Sequence, residues 1–345
     1  MDSKAFTRHF REIFGWRESE LSAWHGIEFI FAIVVPLLVG WAIHQPSLGF
    51  IGALAGLLFG LGDSGDPLPK RLFKLAQTAA SVLVLGTIGA RVGGNSLAFW
   101  TILAVLLFAT AALSLSSHPF AAPLRLGAIA LASVAGLPSP GFSLVEMVLF
   151  AALLSAATRW FDHRMFPSAK GIVPPSDPFP PLSRAAGARF CACYALAVAA
   201  ALWIGQTRGV SHPTWIATTV LLVMQPDARA SIERIVQRGF GTFCGVAAAA
   251  LTVAVFHSTP ALLLAVTLLA YLTPHASARN YWLQSALIAW LILVLYDFAL
   301  ATQFNSHFLA ERLSDVTLGC VLALLATLGA FAPIRKPQPS QPTRK

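Results

Sequence analysis

Residues Gly239 to Phe256 read GFGTFCGVAAAALTVAVF, eighteen positions without a charged side chain. An uninterrupted apolar run of that length suits a helix crossing a hydrocarbon layer ~30 Å thick. Arg229, Arg234 and Arg238 precede it, and no Lys or Arg follows before Arg279. Basic residues on one flank alone place the start of the run on the cytoplasmic side.

The rest of the chain repeats the pattern. Apolar runs begin near Ile27, Leu48, Leu72, Leu97, Phe120, Gly141, Gly187, Pro213, Gly239, Thr259, Tyr281 and Leu313, with Gly, Pro and polar residues between them. Twelve spans of ~20 residues fill most of the chain and leave only short connections. Composition agrees: of 345 residues 56% are hydrophobic and 11% charged, and mean hydropathy is +0.69. A water-facing surface needs about a quarter charged residues. A soluble enzyme or a nucleic-acid binder is therefore excluded, and an all-α polytopic membrane protein is expected.

Net charge is +9. With the N-terminus inside, all but three of the 24 Lys and Arg fall on the cytoplasmic side, the exceptions being Arg91, Arg208 and Arg312. That asymmetry predicts a multi-pass protein of the inner (plasma) membrane with both termini cytoplasmic. Residues 1–26 place Phe6, Phe10, Ile13 and Phe14 at helical spacing among basic residues, as an amphipathic helix on the inner leaflet would. They have no short apolar core and cleavage site, so no removable signal peptide is expected. Residues 27–158 form a first six-helix half, and residues 187–333 a second. The cytoplasmic segment between them, 159–186, carries Pro167, Pro174, Pro175, Pro178, Pro180 and Pro181, which suit an extended linker. Residues 334–345 are Pro- and Lys/Arg-rich, as in a disordered tail.

An even number of spans gives both halves the same orientation, as two parallel repeats about an axis along the membrane normal. Asp63, Lys70, Lys74 and Thr78 after the second run recur at identical spacing as Asp227, Arg234, Arg238 and Thr242 after the eighth. Glu146 and Asp315 each lie a few residues into the last run of their half, and Trp41 and Trp203 near the outer end of the first.

No G-x-x-x-x-G-K-[ST] loop and no H-E-x-x-H occurs, and no loop is long enough for a catalytic domain, so an enzyme is not expected. Cys191, Cys193, Cys244 and Cys320 fall inside apolar runs with no His or Cys at metal spacing, so neither a metal nor a cofactor is expected. Transport remains.

The most specific stretch is His212-Pro213-Thr214-Trp215, then Gln225-Pro226-Asp227, then Arg234-x-x-x-Arg238-Gly239-x-Gly241-Thr242-x-x-Gly245. With Arg312-Leu313-Ser314-Asp315-x-x-x-Gly319 it resembles the fusaric acid resistance-like family, also called aromatic acid exporters. The family's motif has Thr where Val316 stands here, with Thr317 one place later. The resemblance covers about residues 190–333 and is weaker over 25–160. It implies proton-driven efflux of aromatic or other organic carboxylates. Plant aluminium-activated malate channels look like distant relatives, which keeps a passive anion channel as an alternative. A non-transporting membrane scaffold is a third reading. Many members of the family carry a large cytoplasmic domain, where this chain has only the Pro-rich linker.

The residues themselves suggest roles. Arg234 and Arg238 share one helix face, and Lys70 and Lys74 offer the same pair in the first half. Together they would draw an anion to a cytoplasmic vestibule. Asp315, Glu146 and Asp297 are acids inside apolar runs, expensive unless used, and so candidates for proton coupling. Arg312, one turn before Asp315, is placed to neutralise it. Trp215 and Trp290 offer ring faces to an aromatic substrate, with His212 beside the first. Gly241 with Gly245, and Gly52 with Gly56 and Gly60, form small-residue stripes for close helix packing, or for sliding between the halves. The expected partners are a small organic anion and the bilayer, with nucleic acid excluded. A homo-oligomer or a periplasmic adaptor is compatible with the pattern.

Overall fold

The computed structural model describes residues 14–16, 21, 23–63, 66–135, 142–165, 179, 181–209, 212–256, 258–300 and 306–332. Among them every regular element is an α-helix. In chain order these are α1 (Ala23–Ala42), α2 (Pro46–Leu61), α3 (Leu68–Val92), α4 (Leu97–Leu115), α5 (Ala121–Val134), α6 (Phe142–Met165), α7 (Arg184–Thr207), α8 (Thr214–Val223), α9 (Ala228–Val255), α10 (Thr259–Arg279), α11 (Tyr281–Leu300) and α12 (Ser306–Phe331). Their starts follow local chemistry. The Ser96 and Ser183 hydroxyls and the Asp227 carboxylate accept from the backbone N–H groups of Phe99, Ala186 and Ala230, capping α4, α7 and α9. Proline opens α2, where its missing N–H costs nothing.

Nine of the described helices are long and apolar enough to cross a membrane. α2, α5 and α8 have 16, 14 and 10 residues. At 1.5 Å per residue they reach only ~24, ~21 and ~15 Å. The expected runs are all helical, but Pro and Gly at their flanks stop these three early. Leu196, Leu264, Leu268 and Leu325 stay exposed on the long helices, as lipid-facing side chains do.

α1 packs on α2 and α6, α2 on α6, α3 on α5 and α6, and α4 on α5. Six helices on, α7 packs on α8 and α12, α8 on α12, α9 on α11 and α12, and α10 on α11. The two groups meet where α1 lies on α10 and α4 on α7, with lighter contacts of α2 on α11 and α5 on α8.

The glycine stripes lie within these groups. A Cβ on Gly56 would run into the Ala32 carbonyl of α1, and one on Gly245 into the Ala286 carbonyl of α11. Gly52, Gly60 and Gly241 are likewise closed by Met147 and Pro36, by Phe29, and by Trp282. The sliding-surface alternative is thus not where these residues sit: they press α1 on α2 and α9 on α11, not one group on the other. α8 ends at a break, Met224 to Asp227, buried in protein. Ser231 holds it, its hydroxyl donating to the Gln225 and Asp227 carbonyls and accepting from Gln225 N at 2.8 Å.

α6 continues to Met165, past the expected start of the linker at 159, because Arg159 and Asp162 are drawn into the protein interior. The rest of the linker lies mostly outside the described residues, as do the 334–345 tail and the N-tail positions Phe6, Phe10 and Ile13. Phe14 packs edge-on against Phe240 with ring centroids 5.1 Å apart, and Asn280 Nδ2 donates to the Gly15 carbonyl at 2.7 Å.

Candidate functional site

Asp315 lies in the third turn of α12 and is 0% exposed. Its Oδ1 accepts from Arg208 Nη1 at 3.2 Å, and Arg208 is the C-cap residue of α7. Its Oδ2 has no hydrogen-bond partner among the described residues. Arg312 does not take the neutralising position expected of it. Its guanidinium carbon lies over the Trp215 ring, 4.3 Å from the centroid, a cation–π contact.

Trp215 belongs to an aromatic box built from three helix ends. His212, just before α8, stacks on it at 4.1 Å and 10°. Tyr296 from α11 and Phe308 from α12 stand edge-on to His212 at 4.7 and 5.5 Å. Phe50 of α2 touches Tyr296 from outside at 4.5 Å. Burial pushes the His212 imidazole down to about 4, with nearby Arg312 adding to the effect and Glu311 opposing it. It is therefore neutral near pH 7 and acts as a ring surface.

The third basic group is Arg238. It sits ten residues into α9, ~15 Å along the helix, and not at the helix start. α9 approaches α12 closely here, with Cys320 Sγ 3.7 Å from the Ile235 carbonyl, and Arg238 and Arg312 are near enough to repel each other. They are 4% and 3% exposed. Neither Nε has a hydrogen-bond partner, and no ion pair to either guanidinium occurs among the described residues. Removing a cation from water costs several kcal/mol unless a counter-charge replaces the hydration. Among the described residues no carboxylate pairs directly with either guanidinium, although Glu311 and Asp315 lie close by.

The other expected residues lie elsewhere. Arg234 covers the Tyr281 ring at 5.0 Å, and Lys74 is ion-paired with Asp66, so each already has a partner. Lys70 is exposed. Trp290 Nε1 donates to Thr252 Oγ1 at 2.8 Å, joining α11 to α9. Glu146, in the first turns of α6, is exposed, against the expectation of a buried acid. Asp297 is half-buried near the end of α11. The sequence did not single out Arg208, Tyr296 or Phe308, nor a buried ionic cluster around Arg71. Only packing between distant segments brings these together.

The comparisons single out the same region. Residues 197–326 match the fusaric acid resistance protein-like family. The match bears out the resemblance read from the motifs, and it takes in the later part of α7, all of α8 to α11 and most of α12. No curated protein and no solved structure matches the chain. Arg208, His212, Trp215, Arg238, Tyr296, Arg312 and Asp315 all lie inside the fusaric acid resistance-like segment. The Arg71 cluster lies outside it.

Proposed function

We propose that the protein is an inner-membrane efflux transporter for organic carboxylates, aromatic ones among them, with both termini cytoplasmic. The observation that carries this reading is the pair of buried guanidiniums, Arg238 and Arg312, with which no described carboxylate forms an ion pair. One substrate carboxylate between them would supply the missing charge and accept from both, in a setting where charge-assisted hydrogen bonds are strong. The neighbouring box of Trp215, His212, Tyr296 and Phe308 would face the substrate's ring. Asp315, buried with one oxygen unpartnered, is the proposed proton carrier beside the anion: protonating it would release Arg208 and change the charge of the site. The recurrence of helix pairings six helices apart supports two parallel repeats that rock against each other.

Efflux from proteoliposomes under an imposed pH gradient tests this, with internal pH and a panel of aromatic and aliphatic carboxylates followed together. Uphill movement matched by proton flux is expected. Arg312→Gln and Arg238→Gln should each weaken anion binding about 10- to 100-fold, the cost of about one or two charged hydrogen bonds. Asp315→Asn should abolish the uphill component. Downhill flux indifferent to the pH gradient would leave a channel instead, and no flux a scaffold.

A further inference from the structure

The two groups of helices keep step along the chain. α6 starts at Phe142 and α12 at Ser306, 164 positions on, and the other five pairs start within four positions of that spacing. The same spacing relates Asp63, Lys70, Lys74 and Thr78 to Asp227, Arg234, Arg238 and Thr242. Contacts between the groups match as a twofold axis requires: α1 on α10 answers α7 on α4, and α2 on α11 answers α8 on α5. Each residue of the proposed anion site thus has a counterpart in the first six helices.

The chemistry is not repeated. Val148 and Ala151 stand where Arg312 and Asp315 do, buried in an apolar cluster with Phe59, Leu75 and Val82. Leu48 and Ile51 take the places of His212 and Trp215, and Ala132 and Leu144 those of Tyr296 and Phe308. The polar exceptions are Lys74, opposite Arg238, and His44, opposite Arg208. Lys74 is ion-paired with Asp66, and His44 is exposed in the turn between α1 and α2. The buried charges of the first half lie at other positions and bond to one another. Arg71 Nε donates to Asp63 Oδ1 at 3.0 Å and Nη1 to Asp162 Oδ2 at 2.8 Å, while Nη2 reaches Glu28 at 3.3 Å. Arg159 pairs with Asp63 at 3.3 Å and donates to the Phe59 carbonyl at 2.6 Å. Where Arg71, Arg159 and Asp162 stand, the second half has Ile235, Ala323 and Ala326.

We propose that the chain binds a single carboxylate, in its second six helices, and that the first six are a supporting half with no anion site of their own. This rests on the transporter reading above, its two parallel repeats included. An anion leaving water needs charged donors that are still able to bond it. At the corresponding place the first half offers an aliphatic core and a lysine already held by a carboxylate, and its two buried guanidiniums have carboxylates within 3.3 Å. Only Arg238 and Arg312 meet the requirement. Two halves of equal architecture therefore divide the work unequally, and one carboxylate moves in each cycle.

Equilibrium dialysis of the full chain in detergent, against radiolabelled benzoate and separately butyrate, counts the sites, and thermal melting follows the fold. One carboxylate per chain is expected, lost in Arg312→Met and kept in Lys74→Gln. Without anion, Arg312→Met should also raise the melting temperature, because an apolar side chain replaces a buried cation where the first half has Val148. A folded variant that binds nothing separates loss of the site from loss of the fold. Should Arg312→Met not fold, the counts for wild type and Lys74→Gln decide alone. Two carboxylates per chain, or one that Lys74→Gln removes, overturns the inference and leaves the transporter reading standing. Binding of neither probe overturns both.

Discussion

Arg312 and His212 show how two side chains in van der Waals reach of one tryptophan come to different ends. The guanidinium stays charged in a buried place because it cannot readily give up its proton. The imidazole can, and burial holds it neutral down to about pH 4. An unfolded His titrates near 6.5, so between these values the unfolded chain binds the extra proton. Stability contributed by neutral His212 is therefore full above pH ~6.5 and is lost as pH falls toward 4. Thermal denaturation of the detergent-solubilised protein should show this loss, and His212→Phe, which keeps a ring against Trp215, should remove that part of the pH dependence. The motif made Asp315, Trp215, His212 and Arg238 legible beforehand. The partner of Asp315 was not, because one-turn spacing favoured Arg312 while the contact is made by Arg208, 107 positions away in the chain.

At the scale of elements, hydropathy placed all twelve helices, because a lipid environment leaves an apolar run few options except to be helical. It overstated the lengths of α2, α5 and α8, since apolar content alone does not say where a helix stops. The end of α8 depends on Ser231, a single hydroxyl satisfying three backbone groups of the Met224–Asp227 break. Ser231→Ala leaves Gln225 N–H buried without its acceptor, at a cost of about 1–3 kcal/mol. A lowered melting temperature in detergent, with anion affinity reduced in step, is the expected outcome. Ser231→Thr, which restores the hydroxyl, should recover much of both.

For the whole molecule, the excess of basic residues on one side of the apolar runs predicts which ends face outward. In a variant whose four cysteines are replaced by alanine, a cysteine at Gly94 or at Gly209 should react with a membrane-impermeant thiol reagent added to intact cells. A cysteine at Ser183 should react only after the cells are opened. Reaction at Ser183 in intact cells would invert the topology. The Arg71 cluster was illegible at this scale for a related reason. Glu28, Asp63, Arg71, Arg159 and Asp162 each lie at a helix end, where a charge looks like an ordinary loop residue beside lipid headgroups. Only the packing of α1 and α3 on α6 brings these five separated residues into one enclosed network.

The brevity of α8 also bears on how the chain is made. A ten-residue apolar segment is too short to be recognised alone as a membrane anchor during synthesis, and Gln225-Pro226 separates it from the helix that follows. It has to enter the bilayer as a passenger, carried in with α7 or drawn in by α9. Its final seat against Gly319 exists only once α12 has been synthesised. The aromatic box and the two buried guanidiniums are therefore assembled only after α12 has left the ribosome.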